Sequence, residues 1–199
     1  MPDDAPLTPV TPLTEWLDAV AAPRPTPAGG SAAAIAAALA ASLAEMVAGI
    51  TRSRERYAAS HDRAAVVLER AGAMRAELLT LAVQDAEVFA LFTGARGEAK
   101  ERALREAAEV QLEVLRRASA VADLAATMAD VGAVGALGDA ATGTFLAAAA
   151  ARSAYWAMRA DLDVSTPESA AIASRGLELV EKAEAAEWRV RQIATERIR

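Results

Sequence analysis

Gly29-Gly30-Ser31-Ala32-Ala33-Ala34-Ile35-Ala36-Ala37-Ala38-Leu39-Ala40-Ala41-Ser42-Leu43-Ala44-Glu45-Met46-Val47-Ala48-Gly49-Ile50 is the stretch that decides the fold. It has no apolar–polar alternation, so it does not read as a half-buried strand. Alanine is the strongest helix former. A helix that is apolar on every face is buried on every side. The run from Phe145 to Met158, interrupted by Arg152, has the same character. Both runs resemble membrane spans in composition. Glu45, the polar sequence Thr51-Arg52-Ser53-Arg54-Glu55-Arg56 and Arg152 argue against that, and no membrane partner is expected.

The same bias runs through the chain. Alanine supplies 55 of the 199 residues, about half of the 54% hydrophobic content. Working outward, Thr14 reads as the cap of a short helix to Ala21, and Pro23 to Gly30 as an extended loop. Ser31 reads as the cap of a helix to about Arg54, and Ser60 as the cap of one to Phe92 with a bend near Gly72. Gly94 and Gly97 break the chain before a helix from Glu98 to about Ala129. Gly132, Gly135 and Gly138 form a second connection, after which Asp139 caps a helix to about Asp161. The last helix follows Ser165-Thr166-Pro167-Glu168, where Ser165 and Glu168 have capping-box spacing. The expectation is an all-α bundle of five long or medium helices plus a short N-terminal helix. Residues 1–12 form a flexible segment and residues 13–199 a single domain. The second and fifth helices are too small-sided to be covered by one subunit, which predicts a homodimer.

Composition excludes several functions. A net charge of -6 without a basic cluster argues against nucleic acid. The chain has no Cys and one His, leaving no set of soft or imidazole ligands for a metal. Met1-Pro2-Asp3-Asp4 lacks the apolar core of a signal peptide, so a cytoplasmic location is expected.

Chemistry has to come from carboxylates. Asp85 sits on a helical stripe with Leu78, Leu81, Val88, Phe89 and Phe92. It is either partly buried there, with a raised pKa suited to acid–base work, or rides the edge of the stripe in water or paired with an arginine. Glu45 is either a surface partner of Arg52 or a polar wall. Asp139 is either an N-cap or a site wall beside a glycine loop. Gly29-Gly30-Ser31 at a helix start is either a turn with its cap or an anion site. His61 reads as exposed, and Tyr155 and Trp156 as core.

Thr26-Pro27-Ala28-Gly29-Gly30-Ser31-Ala32-Ala33-Ala34 resembles the Thr-Pro-Gly-Gly-Gly-Ser-Ala-Ala-Ala signature of the cyclodeaminase/cyclohydrolase family. That family includes the C-terminal domain of formiminotransferase-cyclodeaminase and free-standing methenyltetrahydrofolate cyclohydrolases. Glu45-Met46-Val47-Ala48-Gly49-Ile50-Thr51 followed by Tyr57 is similar to a second family stretch. Asp85-Ala86-Glu87-Val88-Phe89 resembles its Asp-Ala-x-Ala-aromatic motif, and Gly132 to Asp139 its Gly-Asn…Ser-Asp segment. The resemblance implies a helical dimer with a folate site near the subunit interface, a tetrahydrofolate derivative as substrate and no metal. It implies cyclodeaminase (ammonia lyase) or cyclohydrolase activity with Asp85 as the catalytic carboxylate. Tyr57, Asp139 and Asp161 fall at matched positions and become substrate-binding candidates with Glu45. The helix start at Gly29, Gly30 and Ser31 would receive substrate carboxylates.

The chain also departs from the pattern. The family's asparagines are Ala133 and Gly135 here, its third signature glycine is Ala28, and a proline of the fourth helix is Gln111. Amides bind folate-like rings by paired hydrogen bonds, and Ala or Gly leaves nothing to bond. Two alternatives therefore stand beside folate chemistry. One is a diverged enzyme with another ring-closing, deaminating or hydrolytic substrate. The other is a non-catalytic helical dimer.

Overall fold

A computed structural model describes residues 6–162 and 165–197. Among them the chain is all-helical: α1 (Leu13–Ala21), α2 (Gly29–Arg52), α3 (His61–Gly94), α4 (Glu98–Val131), α5 (Leu137–Asp161) and α6 (Pro167–Arg197). Short 3₁₀ turns, Glu55–Ser60 and Val134–Ala136, precede α3 and α5.

From α2 onward the helices run alternately up and down. Ser31 meets Asp85 near the start of α2, while Glu45 meets Arg75 farther on, so α2 and α3 are antiparallel. Gln111 meets Asp85 and Arg117 meets Glu77, which sets α4 against α3 in the same way. Near its start α5 is fastened to Thr51 through Ala133, and its middle residue Gly143 lies against Ala40 and Leu43. Arg152 of α5 reaches Glu187 of α6, and Arg189 of α6 reaches Asp123 of α4.

The core is built from methyl groups. Ala34, Ala37, Ala40, Ala41, Ala44 and Ala48 of α2 are fully buried against α3, α4 and α5. Each buried methyl contributes only about 0.8 kcal/mol, so stability comes from many close contacts between helices. The larger side chains Leu78, Leu115, Met128 and Met158 fill the remaining space. Gly29–Arg52 and Val134–Asp161 are long and apolar enough to cross a membrane by length and composition, but half of each apolar window is buried inside the bundle.

The outer faces of α2 and α5 carry exposed apolar side chains. Leu39 and Met46 stand on α2, and Phe145 and Trp156 on α5. Trp156 is thus a surface residue rather than core, 69% exposed. It shares its face with Phe145, Ala149 and Ser153 at helical spacing, while the opposite face of α5, with Ala147, Ala151 and Ala154, is buried. Tyr155 beside it is half-buried.

Several caps differ from the expectation. α1 starts at Leu13 after Pro12, without a bond from Thr14. α2 starts at Gly29, so Ser31 lies inside its first turn and its hydroxyl is used elsewhere. Asp139 lies two residues inside α5, exposed. The Ser169 N–H donates to Thr166 Oγ1 at 3.3 Å, so Thr166 supplies the capping oxygen expected of Ser165. α3 continues through Gly72, which lies against Glu45. Of the expected flexible segment 1–12, residues 1–5 lie outside the described residues.

Candidate active site

The buried stripe of α3 runs Ala64, Val67, Ala71, Leu78, Ala82, Asp85 at helical spacing. Asp85 is its last buried member, 9% exposed. Beyond it α3 continues for nine residues to Gly94, about 13 Å at helical rise. This overhang carries the half-buried Phe89 and Phe92, whose rings pack 5.5 Å apart. Asp85 therefore sits where the packed bundle gives way to the projecting α3–α4 hairpin.

Three elements grip the carboxylate. Ser31 Oγ of α2 donates to Oδ2 at 2.8 Å, and Gln111 Nε2 of α4 donates to Oδ1 at 2.5 Å. The backbone N–H of Ser31 adds a third bond. The anion site expected at the start of α2 thus holds the protein's own carboxylate. Any substrate carboxylate must find donors other than Ser31. Gly30 makes the approach possible: a Cβ there would lie 2.8 Å from Asp85 Cγ and closer still to Asp85 Oδ1 and Gln111 Nε2. The preceding loop is pinned one residue further along α3, where Thr26 Oγ1 donates to the Ala86 carbonyl at 3.1 Å.

Burial pushes the Asp85 carboxyl above the ordinary carboxylate range, and the bonds from Ser31 and Gln111 only partly offset it. Asp161, at the end of α5, is pushed up to about 6 by burial and by the Asp85 charge. Two acids thus share one end of the bundle, and the Asp85 charge disfavours ionisation of Asp161.

Both groups hold protons more tightly in the folded chain than in the unfolded one. Their contribution to stability is therefore full below about pH 4 and is lost as pH rises through the folded pKa, about 6 for Asp161. Asp161→Asn is expected to flatten this fall in a pH series of thermal melts and to raise stability at pH 7. A variant less stable than wild type at pH 7 would contradict the burial of this charge.

The other candidates lie elsewhere. Glu45 is about 21 Å along α2 from Ser31, and its Oε2 accepts from Arg75 Nε at 2.7 Å, a cross-helix pair rather than one with Arg52. Tyr57 Oη accepts the Val134 N–H at 3.1 Å, and Thr51 Oγ1 accepts the Ala133 N–H at 3.0 Å. These two side chains fasten the glycine-containing connection before α5. Asp139 lies 22 residues from Asp161 on the same helix, about 33 Å away. One subunit therefore unites Gly30, Ser31, Asp85 and Asp161, and leaves Tyr57 and Asp139 at the far end. Ala133 is buried, so no amide enters where the family pattern has asparagine.

Gln111 is the residue that sequence reasoning registered only as a missing proline. Its signal was present: it is a lone amide on the stripe Ala107, Ala108, Leu112, Leu115. A cavity of about 750 Å³ does not include Asp85. It is a groove between α3, α4 and α6 lined by Arg70, Arg116, Lys182 and Trp188. The groove's charged groups are exposed, whereas the Asp85 carboxylate is buried and bound by Ser31 and Gln111.

Residues 12–174 match the formiminotransferase-cyclodeaminase family. The chain is similar to a methenyltetrahydrofolate cyclohydrolase of Methylorubrum extorquens, 31% identical over 155 residues, 71% of this chain and 74% of the relative. Its fold is similar to the crystal structure of formiminotetrahydrofolate cyclodeaminase from Thermotoga maritima, with a TM-score of 0.85 and 27% identity over 94% of this chain and 98% of that one.

Proposed function

The chain belongs to the formiminotransferase-cyclodeaminase family, and from that premise we propose that it makes or opens the one-carbon bridge of a tetrahydrofolate derivative, with Asp85 as proton carrier. The observation that carries this reading is the buried Asp85 carboxylate, held by Ser31 and Gln111 near a second acid, Asp161, whose pKa is raised to about 6. In ring closure, nitrogen-10 forms a bond to the formimino carbon and gives its proton to Asp85. The bond from that carbon to the amino group then breaks, and Asp85 returns the proton to the departing ammonia. In hydrolysis, Asp85 takes a proton from water as oxygen bonds to the bridge carbon and returns it to the ring nitrogen as the carbon–nitrogen bond breaks, while the remaining hydroxyl proton is released to solvent as the formyl carbonyl forms. The carboxylate charge also stabilises the cationic bridge.

The exposed Leu39, Met46 and Phe145 on adjoining helices support a homodimer. A two-fold axis across α2 would set the Asp85 end of one subunit beside the Tyr57 and Asp139 end of its partner, which would place substrate near the interface. Sedimentation at micromolar concentration is expected to return about twice the chain mass of 20.6 kDa; a single-chain mass contradicts the pairing.

Two assays test the activity: loss of methenyltetrahydrofolate absorbance, and ammonia release from 5-formiminotetrahydrofolate. Binding is expected to quench tryptophan emission through the exposed Trp156, five residues from Asp161, and Trp156→Phe removes most of that response. No response to saturating tetrahydrofolate derivatives rejects the folate reading. It would favour the diverged-substrate reading, which the absence of an amide at the buried Ala133 supports.

A further inference from the structure

Gln111 is a costly side chain for its place. It is 1% exposed among alanine and leucine neighbours. Its Nε2 is spent on Asp85 Oδ1, and its Oε1 is buried with no hydrogen-bond partner. An orphaned buried acceptor costs about 1–3 kcal/mol, which a leucine or methionine of similar size would avoid. The amide must therefore serve something that the static arrangement does not satisfy.

The requirement comes from Asp85. A charged Oδ1 needs a donor, whereas a protonated Oδ1 needs an acceptor. Nε2 supplies the first and Oε1 the second, and half a turn about the last side-chain bond exchanges them. Gly30, which abuts both groups, offers no polar atom of its own side chain. Around Asp85, among the described residues, α2 contributes Ser31, α4 contributes Gln111, and Asp161 on α5 is a titratable neighbour.

We propose that Gln111 is a positioning residue that lets Asp85 alternate between carboxylate and carboxylic acid, donating through Nε2 to the first and, turned over, accepting through Oε1 from the second. The proton that arrives on Oδ1 comes from the attacking nitrogen or water and leaves to the departing group, so the amide itself neither gains nor loses one. This rests on Asp85 being the proton carrier, but not on the identity of the substrate.

The test uses the whole unliganded protein. Side-chain carbon and amide resonances of Asp85 and Gln111 are followed by NMR across pH. The Gln111 Nε2H₂ signals are expected to move with the Asp85 midpoint and to become insensitive to pH in Asp85→Asn. Because both forms of Asp85 lose one bond, Gln111→Met is expected to change the proton affinity of Asp85 by less than about threefold, whereas a donor-only clamp predicts a rise of about tenfold. Gln111 signals that stay flat through the Asp85 titration, or that still titrate in Asp85→Asn, overturn the proposal, as does the tenfold rise. If the methionine variant fails to fold, the wild-type titration alone decides. Loss of folate activity with an intact coupled titration would count against the substrate and leave this inference standing.

Discussion

Asp85→Asn is expected to lower turnover about 10³-fold while the chain stays folded, since a positioned acid–base group contributes about 10²–10⁴-fold. The asparagine keeps the shape of the side chain. Its oxygen can still accept from Gln111 Nε2, and its amide can donate to the Ser31 hydroxyl, which takes either role. What disappears is the capacity to carry a proton. Stability moves the other way: the native state no longer shelters a carboxylate whose ionised form burial disfavours, so the melting temperature at pH 7 should equal or exceed that of wild type. Activity and melting measured together separate a lost proton carrier from a damaged fold. Undiminished turnover removes Asp85 from the chemistry.

Gly30→Ala is expected to damage both the fold and the site. The new Cβ would overlap Asp85 Oδ1 and Gln111 Nε2 and stand 2.8 Å from Asp85 Cγ. Neither neighbour can yield, because both are buried and bonded to each other. Overpacking of this kind costs about 1–3 kcal/mol, and a displacement of the carboxylate by about 1 Å costs about 10²-fold in rate. The control is Gly49→Ala farther along the same helix, where the added methyl meets nothing within 4 Å. Gly30→Ala should therefore lose both activity and melting temperature, and Gly49→Ala little of either. Equal effects would show that Gly30 is not shaping the site.

The helical architecture was legible in the alanine content and in the glycines and prolines between periodic segments. Asp85 was legible as one of three candidate carboxylates, on a stripe of apolar residues, though its burial was left open. The roles that escaped depend on contacts between distant parts of the chain. Ser31 reads as a helix cap because its neighbours in sequence make it one. Its actual partner lies 54 residues away, and no local pattern registers that. Glu45 and Arg52 share a helix face, yet Arg75 on the antiparallel neighbour competes better. Asp139 and Asp161 both follow from the family resemblance, but a continuous α5 places them at opposite ends. Gln111 stood out only as a departure, since the value of a buried amide depends on what faces it.

An interior of methyl groups also restricts how this protein can change over generations. In most cores an inherited substitution that trims a side chain leaves a tolerable void. Here Ala34, Ala37, Ala41 and Ala44 have almost nothing to trim. The one smaller residue loosens a helix by about 0.5–1 kcal/mol, and every larger one pushes two backbones apart. Novelty is thereby confined to the periphery and to the overhanging hairpin beside Asp85, where side chains can be exchanged without reopening the bundle.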